Sequence, residues 1–238
     1  MRLFDSHAHL DAVDPDRLAE ARALGVEAAI VPGVEPAQWA PAIAAPLSSI
    51  RCGIAIGVHP GWAHEVAIGE LDLAGWARRA GAVAIGELGW HRGAEANIEM
   101  QDELADDQLE VARSLGLPVI LHVVGLHGHA LERLARHGPL RGVVHGYSGS
   151  AELVPRYESL GLSIGIGPSV LRARAKKPLD AARAVRAEHL LVETDAPDQG
   201  APADLPRVIE AVAAARGAPI EHVAETAWAN AAGLFFDE

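Results

Sequence analysis

The chain has 238 residues, half of them hydrophobic, with 20 Lys and Arg against 32 Asp and Glu, a formal charge of −12. That size and apolar content suit one domain with a sizeable core, residues 1–238. The negative charge excludes a broad basic surface for non-specific duplex binding, and no apolar run approaches the ~18 residues of a membrane span.

The first predicted strand, Leu3–His9, starts directly after Arg2, so no signal peptide is expected. It carries His7 and His9. Strand side chains alternate faces, so these two imidazoles point the same way. Neutral imidazole is the commonest protein metal ligand, although a lone His pair also reads as surface or hydrogen-bonded core. A helix over Asp16–Leu24 leads to strand two, Val26–Val31. Strand three, Ile50–Val58, holds the single cysteine, Cys52, as a small buried hydrophobe. One cysteine excludes an intramolecular disulfide and points to a reducing, cytoplasmic setting. His59 follows this strand in Gly57-Val58-His59-Pro60.

A helix over Leu71–Ala80 precedes strand four, Ala82–Glu87, which ends on Glu87. The helix Ile98–Leu115 precedes strand five, Pro118–Val123, with His122 at its end. A helix over Ala130–His137 leads to strand six, Gly142–His145. Strand seven, Leu162–Ile166, is followed by Arg172, Arg174, Lys176 and Lys177, which form either a phosphate clamp or a solvated helix start. Strand eight, His189–Glu193, leads to Asp195, and a last helix, Ile220–Phe236, packs Val223, Trp228, Leu234 and Phe235 against the rest. Gly25, Gly81, Gly116, Gly138 and Gly161 supply helix stops.

Strands alternating with helices mean parallel βαβ units, and eight of them fit a (β/α)8 TIM barrel of about 250 residues. An open doubly wound sheet is the rival, but no glycine-rich dinucleotide fingerprint follows strand one. Barrel active sites form at the C-terminal ends of the strands. His7, His9, His59, Glu87, His122, His145 and Asp195 all fall there. Burying unpaired imidazoles and carboxylates is costly, so their coincidence points to one shared site. Mixed imidazole and carboxylate donors suit one or two divalent ions such as zinc, manganese or magnesium.

Other residues keep two readings. Trp62 and Trp90, placed in loops, either stack on a base or pack as walls. Glu193 shares a facing with Asp195 and reads as a support for a ligand imidazole through its free N–H. His64, His91, His127 and His129 lie in loops of the same face with no assigned role. His137, His189 and His222 read as structural.

The chain also resembles a known family, the TatD-type metal-dependent hydrolases, which include deoxyribonucleases. The resemblance lies in Asp5-Ser6-His7-Ala8-His9-Leu10, Gly57-Val58-His59-Pro60, Gly86-Glu87-Leu88-Gly89 and Pro118-Val119-Ile120-Leu121-His122. It continues in His145-Gly146-Tyr147-Ser148-Gly149 and Glu193-Thr194-Asp195-Ala196-Pro197, with Gln101, Gln108 and Asn230 also fitting. It implies that His7, His9, Glu87 and Asp195 hold one ion, and that Glu87, His122 and His145 hold a second, with Glu87 bridging. Asp195 would orient or deprotonate the attacking water, and His59 would line the substrate pocket.

Three departures bear on substrate. The family usually has an Asp shortly after the Gly-Glu-x-Gly segment, where Gly89-Trp90-His91-Arg92 follows here; Val124 stands where it has an arginine, and Asp198 where an aromatic often stands. The expected activity is hydrolysis of phosphodiester bonds in DNA; the alternatives are hydrolysis of an amide, lactone or ester, and a non-enzymatic metal-binding scaffold. A monomer with no membrane or protein partner is expected.

Overall fold

The computed structural model describes residues 1–44, 50–67 and 69–236. Its strands are β1 (Leu3–Asp5), β2 (Val26–Val31), β3 (Arg51–Ile56), β4 (Ala84–His91), β5 (Val119–Val124), β6 (Gly142–His145), β7 (Leu162–Ile166) and β8 (Leu190–Val192). One helix follows each of the first seven: α1 (Pro15–Ala23), α2 (Pro36–Ala44), α3 (Leu73–Ala80), α4 (Ile98–Leu115), α5 (His127–Leu134), α6 (Val154–Ser159) and α7 (Lys176–Ala184). Helices α8 (Leu205–Arg216) and α9 (Ile220–Phe235) end the chain.

Each strand pairs in parallel with the next, in sequence order. Just past the strand ends, the Ser6 N–H donates to the Val192 carbonyl (3.0 Å) and the Asp195 N–H to the His7 carbonyl (2.9 Å). These bonds draw β8 against β1, giving the nearly closed barrel expected from the alternating segments.

Period-two alternation separates two apolar layers. Phe4, Ala28, Ile30, Ala55, Ala84, Ile120, Val143 and Leu191 cluster inside the barrel. Their strand neighbours Leu3, Ala29, Val31, Ile56, Ile85, Leu121, Val144 and Val192 pack outward under the helices. Helix α9 plugs one end of the interior. Its Ala231, Ala232 and Phe235 join the inner cluster, and the rings of Trp228 and Phe236 meet Phe4 at 5.6 and 5.2 Å. The opposite end, where the strands finish, is left for polar groups.

Two strand ends differ from expectation. β1 stops at Asp5 rather than His9, because the Asp5 carboxylate itself accepts the N–H groups of His7 (3.3 Å) and Thr194 (2.9 Å). The His pair therefore lies beyond the strand. β4 runs past Glu87 to His91, so Trp90 is a strand residue, fully buried, with its indole N–H on Asp102 (2.7 Å). A stacking role on a base is thereby removed for Trp90. Helix α4 spans the expected residues, capped by the Asn97 side chain on the Met100 N–H (2.9 Å). Among the described residues, no helix is long and apolar enough to cross a membrane.

Candidate metal centre

Glu87 owes its position to an irregularity in β4. The pairing of β4 with β5 shifts between Ile85 and Leu88. Gly86 sits at φ +151° there, and a Cβ on it would come within 2.6 Å of the Ile120 carbonyl oxygen. Only glycine fits, and the bulge re-aims the next side chain into the mouth of the barrel. The two carboxylate oxygens of Glu87 then face different partners. Oε1 lies 3.4 Å from Nε2 of both His7 and His9. Oε2 lies 3.3 Å from His122 Nδ1 and 2.8 Å from His145 Nε2.

Asp195 completes the first group. Its backbone is left-handed at φ 49°, a conformation that Asp tolerates better than most residues. Its Oδ1 stands 3.5 Å from His7 Nε2 and 3.4 Å from His9 Nε2, while Oδ2 accepts the Gln199 side-chain N–H at 2.8 Å. The four N···O separations of 3.4 to 3.5 Å are long for hydrogen bonds. They match the edge of a tetrahedron whose corners sit ~2.0–2.1 Å from a central ion, which is about 3.3–3.4 Å. His7 is fully buried, and neither of its ring nitrogens has a hydrogen-bond partner. An orphaned buried imidazole aimed at two carboxylate oxygens is what a cation site leaves when described through protein atoms alone. The donor set thus fits a divalent ion.

The second group is tighter. His122 Nδ1 and His145 Nε2 are 3.0 Å apart, and both face Glu87 Oε2. Behind His145, Glu193 Oε1 is 3.8 Å from Nδ1, too far for a hydrogen bond. That oxygen instead accepts the Gly146 N–H, so Glu193 does not hold His145 as expected. His59 leans edge-on against His122, with ring centroids 4.2 Å apart, and its Nδ1 accepts the Gly61 N–H at 3.0 Å. Its proton therefore sits on Nε2, directed toward a cavity of about 230 Å³ that Val34 and Asp198 also line.

Burial opposes charge on Glu87, but the imidazoles of His145 and His7 outweigh it and hold the carboxyl well below its usual range. For Asp195, burial is likewise overcome by the facing imidazoles of His9 and His7, so it too stays ionised. His59 behaves in the opposite way. Burial, reinforced by His122, depresses it to about 3 and keeps the ring neutral. Two carboxylates held ionised thus supply the anionic donors that a divalent cation requires.

The family model for TatD related DNase matches residues 4–236. The chain belongs to that family. It is a metal-dependent hydrolase by class, and its relatives carry that description. It is 34% identical to the uncharacterized metal-dependent hydrolase YjjV of Escherichia coli, over 98% of both chains. It is 32% identical to the 3'-5' ssDNA/RNA exonuclease TatD of Pantoea ananatis, over 77% of this chain and 78% of that one. The crystal structure of E. coli YjjV superposes with a TM-score of 0.89 at 32% identity, covering 99% of this chain and 98% of that one.

Several groups that shape this TatD-type centre fitted the family resemblance but had no role assigned from the sequence. From α4, Gln108 brackets Val58, accepting its N–H (2.8 Å) and donating to its carbonyl (3.0 Å). Gln101 does the same for His91, at 2.8 and 3.2 Å. These two amides fix the backbone beside His59 and at His91. Asp5, pushed up to about 7 by burial, clasps Thr194 and so ties β1 to the segment bearing Asp195. Among the basic residues after β7, Arg172 and Arg174 are exposed and Lys177 donates to the Ser148 carbonyl at 2.6 Å. His64 pairs with Glu65 and Glu95, each at 3.4 Å, and His129 with Asp102 at 2.7 Å.

Proposed function

We propose that this hydrolase cleaves phosphodiester bonds in single-stranded DNA at a two-ion centre, with His7, His9, Asp195 and Glu87 Oε1 as donors to one ion and Glu87 Oε2, His122 and His145 to the other. The observation that carries the reading is the split of the Glu87 carboxylate, one oxygen on each imidazole set. Ions held by these residues would supply the charge that polarises water and stabilises the leaving oxygen.

The protein groups divide the remaining work. Asp195 keeps Oδ1 toward the histidines while Gln199 fixes Oδ2, which aligns the carboxylate as acceptor for the proton of the attacking water. His59, neutral with its proton on Nε2, donates a hydrogen bond to a substrate oxygen rather than delivering a proton. The cavity, near 230 Å³, is smaller than the ~300–1,000 Å³ of pockets that enclose whole ligands. It admits a reacting phosphate and its neighbouring sugar while the rest of a strand stays outside. The relative named as a 3'-5' ssDNA/RNA exonuclease supports the same substrate class.

One observation favours the alternative, hydrolysis of a small ester, lactone or amide. Asp198 lines the cavity and Val124 stands where an arginine would meet phosphate, so neither offers a cationic contact to a polyanion. The test is a 5'-labelled single-stranded oligonucleotide, a matching duplex and a panel of lactones and esters, each with zinc or manganese added and then chelated. Metal-dependent shortening of the single strand is the expected result. Metal-dependent turnover of the esters alone would overturn the phosphodiester reading.

A further inference from the structure

His91 belongs to none of the donor groups assigned above, yet it touches one of them. Its Nδ1 lies 3.0 Å from His122 Nε2, the nitrogen on the far side of the ring from Glu87. The two rings are within 13° of parallel, but their centroids are 5.1 Å apart. Rings in face-to-face contact come closer, as His7 and His145 do here at 3.8 Å and 8°. His91 and His122 therefore lie edge to edge, nitrogen to nitrogen, the arrangement of an N–H···N hydrogen bond. His91 is itself held: Gln101 takes its N–H at 2.8 Å and donates to its carbonyl at 3.2 Å.

His59, His91 and His122 also lie close enough to form an imidazole-only cation group. The hydrogen bonds speak against that use. His59 commits Nδ1 to the Gly61 N–H, which puts a proton on Nε2 and leaves no lone pair for an ion.

We infer that His91 is a positioning residue for the second ion, accepting the Nε2 proton of His122 so that Nδ1 presents its lone pair beside Glu87 Oε2 and His145. A ligating histidine almost always passes its other N–H to a carboxylate, a carbonyl or water, which fixes tautomer and ring direction. Here a neutral imidazole fills that place. The inference rests on the two-ion reading. Nδ1 of His and Oδ1 of Asp or Asn are the same number of bonds from Cβ, so each can put an acceptor at the same spot. The acid would add a charge that a neutral ring lacks, making His122 a stronger donor.

The test is zinc and cobalt affinity of each site, by competition against a chelator, in wild type, His91→Ala, His91→Asn and His91→Asp, with the cobalt visible spectrum followed in parallel. Loss of the acceptor in His91→Ala is expected to weaken the second ion about 10–100-fold while leaving the first unchanged. His91→Asn should restore wild-type affinity, and His91→Asp should exceed it. Equal second-site affinity in all four proteins overturns the inference alone. A third equivalent in wild type that vanishes in His91→Ala also overturns it, by making His91 a ligand. A wild type with no second ion overturns the two-ion reading, and this inference with it.

Discussion

At the scale of single residues, the division of labour around Asp195 is the point most open to measurement. One oxygen faces His7 and His9 and the other is held by Gln199. Asp195→Asn keeps the size and one ligating oxygen, and asparagine accepts the left-handed backbone at this position. The substitution removes the charge that takes a proton from water. The variant is expected to fold and to retain metal, yet to lose on the order of 10²-fold or more in turnover. Turnover plotted against bound metal is the readout. Full recovery at saturating metal would reduce Asp195 to a ligand. The histidines and acids at strand ends were legible because a barrel gathers those ends at one face. The contacts of Gln199, Gln101, Gln108 and His91 were not, since a side chain bonded to a distant backbone or ring leaves no periodic trace in the sequence.

At the scale of elements, local chemistry explains where the reading of strands succeeded and where it slipped. The apolar runs of β2, β6 and β7 are bounded by turns and fall at the expected residues. β1 ends early because Asp5 competes for backbone N–H groups, and β4 continues through Gly89-Trp90-His91, a stretch whose glycine and charges read as a loop. Gly89 is required there, since a Cβ would lie 2.3 Å from the His122 carbonyl oxygen. His91 and Val124 are partners across β4 and β5. Helix α4 is the element that ties this edge together through its two buried glutamines. Gln108→Leu leaves the Val58 N–H and carbonyl buried without partners, at roughly 1–3 kcal/mol each. Urea unfolding should show that loss with an unchanged m-value. A change within ~0.5 kcal/mol would mean that water takes over both groups.

At the scale of the whole molecule, a charge of −12 would face a polyanion on the proposed function. Attraction would then come from ions at the centre and a few hydrogen bonds at the barrel mouth rather than from a basic surface. Single strands release about 0.7 counterions per phosphate neutralised, so contact with one or two phosphates gives a log–log salt slope no steeper than about −1.5. Apparent affinity for an oligonucleotide measured between low and physiological salt should show that shallow slope. A slope several times steeper would reveal a basic track absent from this account. The plug formed by α9 at the other end of the barrel leaves the strand ends as the face where chemistry and substrate meet.

The central claim is that one carboxylate serves two ions, and Glu87→Gln tests it most directly. Metal content after zinc or manganese loading and removal of excess should reach about two equivalents in wild type. The amide removes the shared charge and replaces one oxygen with a nitrogen that cannot ligate in the same way. Both ions are expected to be lost or greatly weakened together. Loss of a single equivalent, with the other bound as tightly as in wild type, would contradict the bridge.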